Sequence, residues 1–196
     1  MLLVVAVLIV SFLVGFLVGG RLSGFSGIRV RWWGMALAAL AIQVGLLALS
    51  SLPRGVVLGP FILSHALLVI FAFANVRLAG FTVILAGIAL NLVAIAANVG
   101  MPVDRDALRS ARGPEGVREL QAEDAGTHHL GRDDDVLIIF TDVIPVPPAK
   151  IVVSVGDVLT YLGAGWFVIR AMRGRGQVRP GAHRRSRAGP ARSAAG

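Results

Sequence analysis

Asp142 and Asp157 are the residues of this chain best placed to do acid–base chemistry. Each stands in apolar sequence, FTDVIPVPP and SVGDVLTYLG, on either side of a turn built from Pro145, Pro147 and Pro148. Two carboxyls brought together can share a proton, one acting as base toward water and the other as acid, which is what an aspartyl hydrolase needs. Flanking one turn, they can meet at the outer boundary of a membrane. Asn91 and Asn98 share one helix face, and Ser154, Asp157 and Tyr161 share another by three- and four-residue steps. Asn91, Asn98, Ser154 and Tyr161 are therefore expected to form a polar cluster around the aspartates, with interhelical hydrogen bonds sufficient to explain the asparagines.

Other groups offer less. His128 and His129 precede Arg132 and the run Asp133, Asp134, Asp135, and a histidine pair with carboxylates can hold a divalent cation. Adjacent histidines lack the spacing of a helical zinc motif, so the run reads as a solvated face and no metal site is assigned. His65, beside Ser64 in apolar sequence, reads as a packed neutral imidazole. The chain has no cysteine, which excludes disulfides, thiolate metal sites and cysteine nucleophiles. It shows no glycine-rich phosphate loop and no serine-hydrolase elbow, and no cofactor is expected.

The elements that must position these residues are read from composition. Of 196 residues, 56% are hydrophobic and 15% charged, and the mean hydropathy is +0.78. Soluble domains approach about a quarter charged, so a membrane protein is expected. A helix needs about 20 apolar residues to cross the hydrocarbon core. Five stretches approximate that: residues 2–19, 32–52, 56–76, 78–99 and 151–171. The expected fold class is all-α, a polytopic bundle of about five transmembrane helices. Residues 2–19 lack a basic lead-in and a small-residue cleavage site, which favours an uncleaved first span. Asp157, inside the last span, would cost about 2.5–3.5 kcal/mol if ionised there.

Arginine sets the orientation. Arg21, Arg29 and Arg31 crowd the first loop, Arg77 marks the third, and most of the net charge of +8 lies in the tail from Arg173. Cytoplasmic loops keep positive charge, which places these regions and the C-terminus in the cytoplasm and the N-terminus and loop 100–149 outside. Every acidic residue falls between Asp104 and Asp157. Within that loop, a short surface helix is expected around 107–112, then mobile chain. Residues 136–148 are apolar but too short to span and read as a re-entrant or interfacial segment. Trp32, Trp33 and Trp166 read as interfacial anchors. Gly80, Ala86, Gly87 and Ala94 predict close helix packing.

The organisation is thus an integral membrane domain over 1–172 and a disordered basic cytoplasmic tail over 173–196. The tail suits topology and anionic lipid headgroups, and without interleaved aromatic residues it gives no support for nucleic-acid binding. The expected partner is the lipid bilayer, and no protein partner is legible. Low lysine with abundant Arg, Ala, Gly and Val suggests a bacterial source and a cytoplasmic-membrane location.

The motifs AANVGMPV, HHL, FTDVIPVPP and SVGDVLTYLG, in that order, resemble bacterial membrane proteins of the domain of unknown function 5317 family. The matching positions are Asn98, Met101, Pro102, His128, Asp142, Pro145, Ser154, Gly156, Asp157 and Gly163. NVGMPV is shorter than the family's usual form, which has a glycine pair and a basic residue before Met-Pro. The resemblance implies a membrane protein and no particular activity. A more local likeness is to lipoprotein signal peptidases. Asp142-Val143-Ile144 is similar to one of their aspartate stretches, and Ser154, Gly156, Asp157 and Gly163 to the other. Ser154 replaces an asparagine and Gly156 an alanine, and Asn98, Asp104 and Arg105 only partly match an upstream element. This likeness implies catalysis by Asp142 and Asp157. The leading expectation is an uncharacterised envelope component with a structural or partner-binding role. The alternative is an intramembrane aspartyl hydrolase, and a proton-coupled transporter using Asp157 comes third, since it lacks the paired broken helices of such proteins.

Overall fold

A computed structural model describes residues 2–48, 52–122 and 126–176. The tail from residue 177 onward lies outside the described residues, so its expected disorder is not addressed. Among the described residues, six α-helices alternate with four short strands: α1 Leu2–Leu17, α2 Trp33–Ala48, α3 Arg54–Ala74, α4 Phe81–Ala97, β1 Met101–Val103, α5 Arg105–Ala122, β2 His128–Leu130, β3 Asp142–Val146, β4 Ile151–Ser154 and α6 Val155–Met172. The chain is mostly helical, but the all-α expectation is corrected by the sheet. Strands of three to five residues are too short for a two-residue hydrophobic period to stand out.

Five of the helices coincide with the apolar stretches. They pack as a row, α2 on α3, α3 on α4, α4 on α6 and α6 on α1. Among the described residues only α3, with 21 residues, is both long and apolar enough to cross a membrane. α1 and α2 have 16 residues each and α4 has 17. The tightest contact is α4 on α6, where helix backbones nearly touch. A Cβ on Gly80 would meet the carbonyl of Gly163, and one on Gly87 would lie 2.5 Å from the Thr160 hydroxyl. Gly80 also has φ +83, a left-handed conformation that suits glycine, at the residue that starts α4. The expected small-residue packing is therefore present at Gly80 and Gly87, and their partners lie on α6.

The row has two distinct ends. At one, Arg21 N–H donates to the Met172 carbonyl (2.8 Å) and Ala79 N–H to that of Gly176 (2.7 Å). There buried Asn75 exchanges hydrogen bonds with the Arg31 backbone, both at 2.8 Å. Arg21, Arg29, Arg31, Arg77, Arg173 and Arg175 thus gather at one face. At the opposite end, α4 runs into β1, β4 runs into α6, and the sheet and α5 form a cap.

The cap is a βαβ unit with a hairpin added. Strand order is β2-β1-β3-β4, with β1 parallel to β2 and β3, and β3 antiparallel to β4. A parallel pair needs a crossover, and α5 supplies it between β1 and β2, packing on the strands around Val103, Leu108 and Val117. The expected short helix around 107–112 is the first half of α5. Gly113, at φ +74, breaks the helix ahead of Pro114, and a second helical half follows where mobile chain was expected.

The segment 136–148 is not one continuous element. It makes a 3-10 turn at Ile138–Phe140 and then β3. The prolines close the β3–β4 hairpin through a 3-10 turn at Pro147–Ala149. Residues 151–154, read as the start of a span, are β4. Val152 and Val153 favour a strand, and Ser154 ends it by capping α6.

Candidate functional site

Between the cap and the helix row lies a cavity of ≈ 710 Å³. α3 and α4 contribute Phe61, His65, Asn91 and Ile95 to its lining, α2 contributes Gln43 and Leu47, and α6 contributes Asp157 and Tyr161. The cap contributes His128, Asp142, Lys150 and Val152, among others.

Asp157 is positioned by a helix start. Ser154 accepts the Asp157 N–H at its hydroxyl (2.9 Å), and its own N–H donates to Asp157 Oδ2 (3.2 Å). That is a reciprocal capping box. Asn91 reaches across from α4, donating to Asp157 Oδ1 (2.8 Å) and accepting from the Ser154 hydroxyl (2.8 Å). Asp157 therefore sits in the first turn of α6, where the helix dipole favours a carboxylate, and not deep in a span. The sequence S-x-x-D after a β-branched run contained this signal. Periodicity read across residues 151–171 as one helix obscured it.

Asp142 is held differently. It opens β3 opposite Ser154, and a bulge follows it, so that both Asp142 and Val143 precede the Ile144–Val153 pair. Bulges re-aim side chains and recur beside active sites. Asp142 is 6% exposed and lines the cavity, and its carboxyl has no hydrogen-bond partner among the described residues. His128 Nε2 lies 3.7 Å from Asp142 Oδ2. Burial pushes the Asp142 pKa well above the ordinary carboxyl value, and the nearby Asp157 charge adds to the shift. Desolvation among the walls lowers the His128 pKa, which the Asp157 charge opposes. The His128 side chain is 45% exposed, which moderates its desolvation.

The arrangement joins some expected residues and separates others. Asn91, Ser154 and Asp157 form one hydrogen-bonded group, with Asp142 and Tyr161 lining the same cavity. Asn98 does not join it. Its side chain donates to the Val136 carbonyl (2.9 Å) and accepts the Val136 N–H (2.7 Å), pinning that loop to the end of α4. Asp104 accepts from Ala107 N–H (2.7 Å) as the cap of α5 and is committed there.

The two histidines part, because successive strand residues face opposite ways. His128 faces Asp142. His129 is 3% exposed, with Nε2 3.2 Å from the Asn98 carbonyl and 3.7 Å from Asp135. The cavity roles of His128 and His65 were not legible. His128 was read with the acidic run beside it in sequence, and its functional neighbour lies on another strand. His65 packs edge-on against Phe61, 4.6 Å between centroids, and Phe61 lies 6.0 Å from His128.

Chemically, the site pairs a carboxyl whose pKa burial raises with a second carboxyl whose two oxygens accept N–H bonds. An imidazole lies beside them, and most of the remaining wall is apolar. A family model described as a family of unknown function (DUF5317) matches residues 27–169. No curated protein and no solved structure matches the chain.

Proposed function

The chain belongs to the family of unknown function DUF5317, and from that premise we propose that it is a five-span protein of a bacterial cytoplasmic membrane that binds a ligand in its outer cavity. The arginine-bearing end faces the cytoplasm and the cap faces out. Large apolar side chains on the outside of the row support insertion, including Ile9, Leu13, Leu37, Leu40, Leu63, Phe73, Val93 and Leu162, all more than half exposed. A soluble protein would have to hold that belt in water. Helices of 16–18 residues cover about 24–27 Å, and a bilayer absorbs a shortfall of a few Å by local thinning.

One observation supports ligand binding above the rest. The Asp142 carboxyl makes no hydrogen bond among the described residues, and its oxygens open on the cavity. A structural role would have supplied a partner from the protein, as it did for Asn98, Asp104 and Asp157, whereas this carboxyl is left to whatever the cavity holds.

A second reading, favoured by the shared cavity of Asp142 and Asp157, is hydrolysis of an acyl bond. Asp157 would accept a proton from water while Asp142 protonates the carbonyl oxygen under attack. The collapsing intermediate would then pass its proton to the leaving group. The test is cleavage of N-acyl peptides by the purified protein. Asp142→Asn and Asp157→Asn should each abolish cleavage while leaving the protein folded, and unaltered cleavage in either folded variant rejects the dyad.

A further inference from the structure

The shape of the cavity shows how its occupant enters. α2 packs on α3 and α6 packs on α4, with no comparable interface between α2 and α6 among the described residues. α3 and α4 are thus the back wall, α2 and α6 the two jaws, and the cap the roof. Leu47 on α2 belongs to both worlds. It lines the cavity and is also 66% exposed, so the cavity is open beside it. Beside Tyr161 on the other jaw, Leu162 is 63% exposed. An apolar chain can therefore run from the cavity into the bilayer between the jaws without crossing water.

The polar end shows what the head of that occupant carries. No lysine or arginine pairs with Asp142 or Asp157 among the described residues, and the basic group beside them is the His128 imidazole, 3.7 Å from Asp142. Of the cations in the lining, Arg112 is paired with Glu119 at 2.8 Å. Lys150 stands at the tip of the β3–β4 hairpin. Ser154 is the strand partner of Asp142, and it lies four residue steps from Lys150, about 13 Å along the roof. Acid lies at the inner end and a cation toward the rim.

We propose that the cavity takes the head group of an ammonium-bearing phospholipid, drawn sideways from the bilayer between α2 and α6, with the ammonium at Asp142 and Asp157 and the phosphate toward Lys150. The ammonium supplies the cation that the buried carboxyls lack, and charge-assisted hydrogen bonds of this kind are the stronger class. A cation beside Asp142 favours its ionised form and so opposes the burial that raises its pKa.

This inference rests on the membrane reading, and the experiment separates the two. The protein is reconstituted in nanodiscs of phosphatidylethanolamine and phosphatidylglycerol in equal parts, released into mild detergent, and examined by native mass spectrometry. One phosphatidylethanolamine should be retained in preference to phosphatidylglycerol. Asp142→Asn should weaken that preference about tenfold, the scale of one charge-assisted contact. Leu47→Trp, which narrows the gap between the jaws, should lower retention, and Leu37→Trp on the outer face of α2 should not. Equal retention of both lipids, or the same retention in Leu47→Trp and Leu37→Trp, overturns the proposal. Alkaline carbonate extraction reports on the membrane reading by itself. Release of the chain overturns that reading and the lipid route together. A chain that stays in the membrane pellet yet shows no lipid preference overturns only the head-group assignment.

Discussion

At the scale of single residues, Asp142 and His128 give the molecule opposing responses to pH. A carboxyl whose folded pKa is raised binds more protons folded than unfolded. Its contribution to stability is therefore whole below the ordinary value of 3.8 and is lost as pH climbs toward the folded value. His128, with its pKa lowered, works the other way and destabilises the fold as pH falls below 6.5. Asp142→Asn should thus unfold at a higher temperature than the parent near neutral pH, and the gain should vanish near pH 4. Circular dichroism melts in detergent across that range check it, and an unchanged pH profile would contradict the assigned burial. The sequence showed Asp142 and Asp157 as the carboxyls set in apolar surroundings. It did not show that Asn91 also holds Asp157 while no side chain bonds Asp142, because Asn91 lies 66 residues away and only folding brings it there.

At the scale of elements, the α4–α6 contact fixes the cavity, since Asn91 and Asp157 meet only if the two helices approach this closely. A side chain at Gly163 would run into Ile84 Cγ1 at 2.7 Å and the Gly80 carbonyl at 2.8 Å, leaving backbone to give way. Gly163→Val and Gly87→Val should each lower stability by about 1–3 kcal/mol through overpacking. Gly45→Ala, in α2 with nothing near its Cβ position, should be neutral or raise it by about 0.5–1 kcal/mol. Thermal melts in detergent compare the three, and a harmless Gly163→Val would show that the helices part easily. Apolar length located these helices in the sequence, and small residues marked the packing face of α4. The cap was not legible. Its strands are brief, α5 is broken at Gly113, and a hydrophobic run such as Ile151-Val152-Val153 suits a strand and a span equally well until Ser154 and Asp157 are read as a cap.

At the scale of the whole molecule, charge and fold agree on two faces. The arginines that the sequence placed in separate loops come together at one end of the helix row, and the acidic cap occupies the other. The chain has no cysteine, so single introduced thiols report orientation cleanly. Ser110→Cys, exposed on α5, should react with an impermeant maleimide in intact cells, and Ser26→Cys, exposed at the arginine-rich end, only after lysis. The reverse pattern would turn the protein over. The place of α1 has a consequence of its own. α1 lies on the outer flank of α6, with Met172 filling the space beside Gly15 and Ser11 beside Gly165. None of its described residues lines the cavity, and the family match begins only at residue 27. α1 is therefore an outrigger. A foreign apolar helix of the same direction could replace it, and the machinery beneath the cap would keep its shape.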